Sequence, residues 1–354
     1  MTEPTAPGGS ALDRSPVWQL TLARLRDFFR EPSTVFWSFG FPVLLAVALG
    51  IAFRSRPPDP VHVGVEEGPR AEAARAVLAA GKDVKVRVLA PDDAAIALRT
   101  GRVAIVVVPG DPPVYRLDPT RPESRLARAV VDDLLQRAAG RADVIGPREE
   151  TLTEPGARYI DFLVPGLLGM NLMSAGMWGI GWVIVEQRSK KLLKRMIATP
   201  MARRSYLLSF LWMRLFFLVI EVPLFLGFAV LAFGVPLRGS LAALALVATL
   251  GALAFSGLGL LVACRAKNTQ TVSGLINLVM MPMFLLSGVF FSADNFPDVM
   301  QPAIRALPLT ALNDGLRAVM NEGAGLAAVA PQALLLAAVT AVSFGLALRF
   351  FRWS

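Results

Sequence analysis

The chain has 354 residues, 54% of them hydrophobic, and a formal net charge of +9. The apolar share exceeds that of ordinary soluble domains, and one cysteine, Cys264, with one histidine, His62, rules out an intrachain disulfide and argues against a His/Cys metal cluster or a Ser-His-Asp triad. The positive balance is not a nucleic-acid signature, because the cations flank uncharged apolar blocks of about 18 to 26 residues, the length that crosses a bilayer.

Residues 1–15 are rich in Pro, Gly, Ser and Thr, a composition expected to stay disordered. Pro16 to Arg30 reads as an amphipathic helix lying in the cytoplasmic interface; a solvated lead-in is the plainer alternative. The first uncharged block, Phe36 to Phe53, makes residues 35–53 the first span. Arg24, Arg26 and Arg30 precede it, so its start belongs on the cytoplasmic side. A secretory signal has the same order, but this block is longer than a usual signal core and lacks a clear small-x-small cleavage site.

Residues 54–158 change character, with acids and bases nearly balanced. Val61–Val65, Val84–Leu89, Val103–Val108 and Val114–Leu117 read as strands, and residues 70–80, 92–100 and 122–139 as helices. The expectation is an α+β domain outside the cytoplasmic membrane. Its paired acids, Glu66-Glu67, Asp92-Asp93 and Asp132-Asp133, read as helix-start or solvated-face residues without a catalytic arrangement. A gate, a substrate funnel or a docking surface for a periplasmic protein fits the domain better than an enzyme.

Five further spans follow at Tyr159–Val185, Leu207–Phe233, Leu241–Cys264, Thr271–Phe291 and Val329–Leu348. The fold class is therefore an α-helical membrane protein with six transmembrane helices. Cations cluster after the second, fourth and sixth spans, which are the cytoplasmic segments in a count that starts inside. Both ends of the sequence are then cytoplasmic.

Charged and amide residues inside spans are costly and mark functional candidates. Glu221 lines a subunit interface or translocation path, pairs with another helix, or is a hydrogen-bonded packing residue beside Pro223. Arg214 lies near enough to the cytoplasmic side to snorkel. Asp161 is expected in the outer interface. Asn171 and Asn277 either join helices or touch substrate. Pro282 and Ser287-Gly288 kink or end the fifth span, and residues 292–325 form re-entrant or surface segments outside.

The loop Glu186 to Leu207 carries seven cations. Lys190, Lys191, Lys194 and Arg195 recur at helical spacing, and Leu192, Leu193, Met196 and Ile197 repeat that pattern two residues later. Two residues turn a helix by about 200°, so the sets take opposite faces of an expected helix over 188–199. Thr199-Pro200 ends it. Two readings stand: an interfacial loop on anionic headgroups, or a helix docked in the groove of a cytoplasmic partner.

The order of one span, an outer domain, five spans and a loop helix ending in Thr-Pro resembles the ABC-2 type transporter permeases. The stretch Leu193-Lys194-Arg195-Met196-Ile197-Ala198-Thr199-Pro200, with Glu186 and Arg188 upstream, is similar to that family's coupling helix. Leu286-Ser287-Gly288-Val289-Phe290-Phe291, Leu307-Pro308-Leu309-Thr310 and Asp314-Gly315-Leu316-Arg317 resemble its C-terminal motifs. Many members have an acidic, Gly-Thr-containing coupling helix, whereas Lys191, Leu192 and Lys194 stand here, so a partner groove with an acidic rim is expected. The resemblance implies a permease subunit of an exporter, no enzyme itself, moving hydrophobic or amphipathic substrates such as drugs or lipids. It also implies two copies of a separate ATPase carrying ATP and Mg, and a paired permease, most simply a homodimer. No G-x-x-x-x-G-K-[ST] phosphate loop occurs in the sequence. An ion-coupled transporter using Glu221 and a non-transporting envelope scaffold are the alternatives.

Overall fold

The computed structural model describes residues 16–52, 60–142, 145, 158–197 and 203–350. The chain divides into two units, one of Met1–Ser55 with Thr153–Ser354 and one of Arg56–Leu152.

Helix α1 (Pro16–Arg30) buries Thr21, Arg24 and Leu25 at i, i+3 and i+4 spacing. Helix α2 is the apolar stretch Phe36–Ala52, shorter than the other apolar helices, which opens with a π-helical segment at Phe36–Gly40 and continues a helical turn at Pro32–Val35.

The second unit alternates strands and helices: β1 (Val61–Glu66), α3 (Ala71–Ala79), β2 (Val84–Leu89), α4 (Pro91–Arg99), β3 (Ile105–Val108), β4 (Val114–Leu117) and α5 (Pro122–Ala138). The sheet order is β2-β1-β3-β4, with β1 parallel to β2 and β3, and β4 antiparallel to β3. Alternate residues choose alternate faces. Val63, Val65, Ile105 and Val107 pack with Ala71, Leu78, Ala127 and Val131 of α3 and α5, whereas Val106 and Val103 pack with Ala94 and Ala97 of α4. Parallel strands need crossovers, and α3 and α4 serve as those crossovers on opposite faces of one mixed sheet.

The remaining helices are α6 (Tyr159–Ser189), α7 (Leu192–Ile197), α8 (Arg203–Phe233), α9 (Leu241–Ala263), α10 (Thr269–Leu286), α11 (Gln301–Arg305), α12 (Pro308–Met320) and α13 (Ala330–Phe350). Among the described residues, five helices, α6, α8, α9, α10 and α13, are long and apolar enough to cross a membrane, α8 through Leu208–Phe233. Their outward sides carry exposed Trp212, Val219, Leu231, Leu278 and Leu334, a surface that needs lipid or another apolar partner. The chain is a multi-pass membrane protein.

Helix α6 shares the centre of the bundle with α9. Its most apolar stretch is 61% buried and that of α9 56%, against 22% for α10 and α13. It can lie this close to α9 because both contribute glycine where they cross. A Cβ on Gly176 would stand 2.8 Å from the Phe255 backbone, and one on Gly259 would stand 2.7 Å from the Gly176 carbonyl. A π-helical segment, Met177–Trp182, runs through this crossing.

The fifth span ends at Leu286, short of the expected Phe291, because Gly288 takes a left-handed φ of 69°. Pro282 stays inside α10.

Candidate functional site

The cationic loop is not one helix. Helix α6 ends at Ser189, Lys191 takes a φ of 58°, and α7 restarts at Leu192 for 6 residues. The expected helix over 188–199 is corrected here, and the cause is burial. A left-handed residue turns the chain, and the turn brings Leu193 into the bundle core at 1% exposure while Leu192 stays 38% exposed. Leu192 and Leu193 therefore do not share a docking face. Lys190, Lys191 and Arg195 are exposed, and Lys190 Nζ pairs with Glu186 at 2.7 Å. Thr199 and Pro200 lie outside the described residues, as do the side chains of Lys194, Met196 and Ile197.

Arg188 turns inward. Its Nη1 donates to the carbonyls of Ala263 at 2.9 Å and Ala266 at 2.8 Å, where α9 ends. Its neighbour Gln187 accepts from the Tyr206 hydroxyl of α8 at 2.6 Å. The Arg24 guanidinium of α1 lies over the Phe210 ring at 3.4 Å and the Tyr206 ring at 5.0 Å. Burial draws the Arg24 pKa down, with Tyr206 opposing the shift. The expected interfacial helix α1 is thus held against α8 by its buried face. Nothing in the sequence pattern pairs Gln187 with Tyr206, 19 residues away.

Deeper in the bundle, Glu221 is 5% exposed. Arg214 Nη1 donates to one carboxylate oxygen at 2.7 Å, and Asn171 Nδ2 to the other at 2.5 Å. The expectation that Arg214 snorkels is corrected. It lies two turns before Glu221 on one helix, on nearly the same face, and pairing costs less than carrying either charge alone. That spacing was the available signal. Asn171 joins α6 to α8.

On the opposite flank, α12 holds the end of α10. Asn313 Nδ2 donates to the Ser287 carbonyl at 2.8 Å. Arg317 donates to the Gly288 carbonyl, and its guanidinium lies 3.8 Å over the Phe162 ring. Burial pulls the Arg317 pKa down to about 10, with Asp314 opposing. The buried Asp161 accepts two bonds from the Arg158 guanidinium, at 2.9 and 2.8 Å. Residues 292–325 include two short 3-10 turns, α11 and α12, whose outward exposed side chains include Val299. Asn277 is exposed on α10, in an apolar groove with Leu278, Met281 and Pro282.

In the sheet unit the paired acids are partnered or solvated. Glu66 pairs with Arg116, Asp133 with Arg137 and Arg141, and Asp132 accepts from the Tyr115 hydroxyl at 3.1 Å. Asp92 and Asp93 stand in the first turn of α4. Among the described residues, no group of three or more His, Cys, Asp or Glu side chains is placed to hold a metal ion.

The sequence is similar to three permeases of Escherichia coli K12. One is named inner membrane transport permease YhhJ, 25% identical over 173 residues, covering 49% of this chain and 46% of the relative. The second is named probable multidrug ABC transporter permease YbhS, 25% identical over 179 residues, covering 49% and 48%. The third is named probable multidrug ABC transporter permease YbhR, 23% identical over 198 residues, covering 56% and 54%. The chain spans about half the length of these relatives. The family described as ABC-2 family transporter protein matches residues 32–349, from ahead of α2 to the end of α13. With that match over nearly all of its length, this chain belongs to the ABC-2 family of transporter proteins.

Proposed function

We propose that the chain is the permease subunit of an ATP-driven exporter in a bacterial cytoplasmic membrane. It moves hydrophobic or amphipathic molecules by alternating access. Two copies of a separate ATPase bind ATP and Mg and press on the α6–α7 turn. One observation carries the reading: the most buried helix of the bundle ends in a turn whose Leu192, Lys190, Lys191 and Arg195 face outward. Exposed apolar and cationic side chains at the end of a central helix suit a partner that must move that helix.

The permease works as a homodimer. The bare α10 face supports this, because an exposed amide such as Asn277 in a spanning helix needs a second subunit or a wet path. Residues 54–158 lie outside, where the sheet unit can meet a periplasmic protein. Lipid surrounds the outward faces, and the chain carries no nucleotide of its own. Glu221 supports a packing role over proton carrying, since both of its oxygens are held.

The test is a pull-down from native membranes, comparing the wild type with Leu192→Asp/Arg195→Glu. A P-loop ATPase should co-purify with the wild type and be lost with the variant. No ATPase with folded wild type would end this reading in favour of the ion-coupled one, and equal recovery with the variant would move docking elsewhere.

A further inference from the structure

We infer that Arg188 is a positioning residue: it fastens the inner end of α6 to the α9–α10 corner, so that force entering at α7 moves both together. The proposal rests on the permease reading above and names how its docking element is wired into the bundle. Resemblance alone would put Arg188 among the residues that face the ATPase. The geometry points the other way, since Nη1 reaches the Ala263 and Ala266 carbonyls at 2.9 and 2.8 Å. Those carbonyls lie at and just beyond the end of α9, where a helix leaves acceptors without internal donors and presents the negative end of its dipole. A guanidinium there is both a hydrogen-bond cap and a charge match.

The residues beside Arg188 extend the same construction. Gln187 takes the Tyr206 hydroxyl at 2.6 Å, which ties the end of α6 to the start of α8. Past the left-handed Lys191, the buried Leu193 seats α7 on the bundle. On the corner's far side, the Cys264 Sγ lies 3.3 Å from the Leu260 carbonyl of its own helix and 3.4 Å from the Ala347 carbonyl of α13, which share its single weak donor. Without Arg188, α6 would keep its glycine crossing with α9 deeper in the bundle, but their inner ends would lose this link. A push on α7 would then tilt α6 and leave the corner behind.

The test uses the complete permease–ATPase complex in lipid, with Cys264→Ser removing the one thiol of the permease while keeping a donor there, and with the permease labelled before the ATPase is added. Spin labels are placed at Ser189→Cys and Lys267→Cys, both exposed. Their separation is read without nucleotide and after trapping with ATP and vanadate. With Arg188 intact, the two states should agree within about 2 Å. With Arg188→Met they should differ by about 5 Å, one helical turn, or the distribution should broaden on trapping. Arg188→Lys, which keeps a cationic donor, should restore the intact behaviour. The ATPase should co-purify with all three, which a docking residue would not allow.

An unchanged separation in Arg188→Met, a shift already present with Arg188 intact, or loss of the ATPase from folded Arg188→Met each overturns the proposal. If Arg188→Met does not assemble, Arg188→Gln carries the comparison. Absence of any ATPase from the wild type would instead remove the permease reading itself.

Discussion

A carboxylate in hydrocarbon needs a donor for each oxygen, and Glu221 has Arg214 for one and Asn171 for the other. Removing one partner strands the other, so Arg214→Met should cost about 3–5 kcal/mol, read as a lower melting temperature in detergent. Arg214→Met/Glu221→Leu should recover most of that loss. In the sheet unit, the Tyr115 phenol is pushed up to about 12, first by burial and then by its bond to Asp132. Its folded pKa therefore exceeds the unfolded value of about 10, so its contribution is intact below pH 10 and is lost as pH rises toward 12. Alkaline absorbance should place Tyr115 in the late tyrosine ionisation, which burial also delays at Tyr206, and Tyr115→Phe should lower the total amplitude of the chain's three tyrosines by about one third. Glu221 was legible in the sequence as a charge deep in an apolar run. The inward turn of Arg214 was legible only from its spacing to Glu221, because distance from a span end does not say which way a long side chain points.

Among the elements, two features decide the geometry: the glycine crossing of α6 on α9 and the left-handed residue after α6. Gly176→Leu would force the α9 backbone away, since even a Cβ stands 2.8 Å from Phe255. It should abolish a folded monodisperse species in size-exclusion chromatography. Lys191→Gly should stabilise by up to about 1 kcal/mol, because Lys191 already bears the penalty for left-handed backbone, whereas Lys191→Val should destabilise through the added crowding of a β-branched side chain there. Leu193→Ala should cost about 2–5 kcal/mol as a core truncation, and Leu192→Ala within about 0.5 kcal/mol as a surface change. The sequence marked the loop as amphipathic because its Leu and Lys pairs fit an unbroken helix. The break depends on Leu193 finding the core, and that information lies in other elements.

For the molecule as a whole, charge and length were enough to outline the spans, since each apolar run ends where its helix ends to within a few residues, α10 excepted. They could not say which helix is central, because α6 and α13 are both apolar and differ only in what covers them. If the count from a cytoplasmic start is right, Arg265→Cys should react with an impermeant maleimide only from the cytoplasmic side, and Arg305→Cys only from outside, both in the Cys264→Ser background. Reversed labelling of either would redraw the topology.

The position of α9 also has a consequence for synthesis. It lies between α6, made before it, and α13, made after every other described helix. While the chain is still emerging, α8 has α6 to pack against, but α6 keeps its glycines uncovered until α9 arrives. The far flank of α9 then waits for Ser343 and Ala347. The bundle is completed late, and from the emergence of α6 until that of α13 the nascent chain keeps one of its best-fitting surfaces open to lipid and to membrane chaperones.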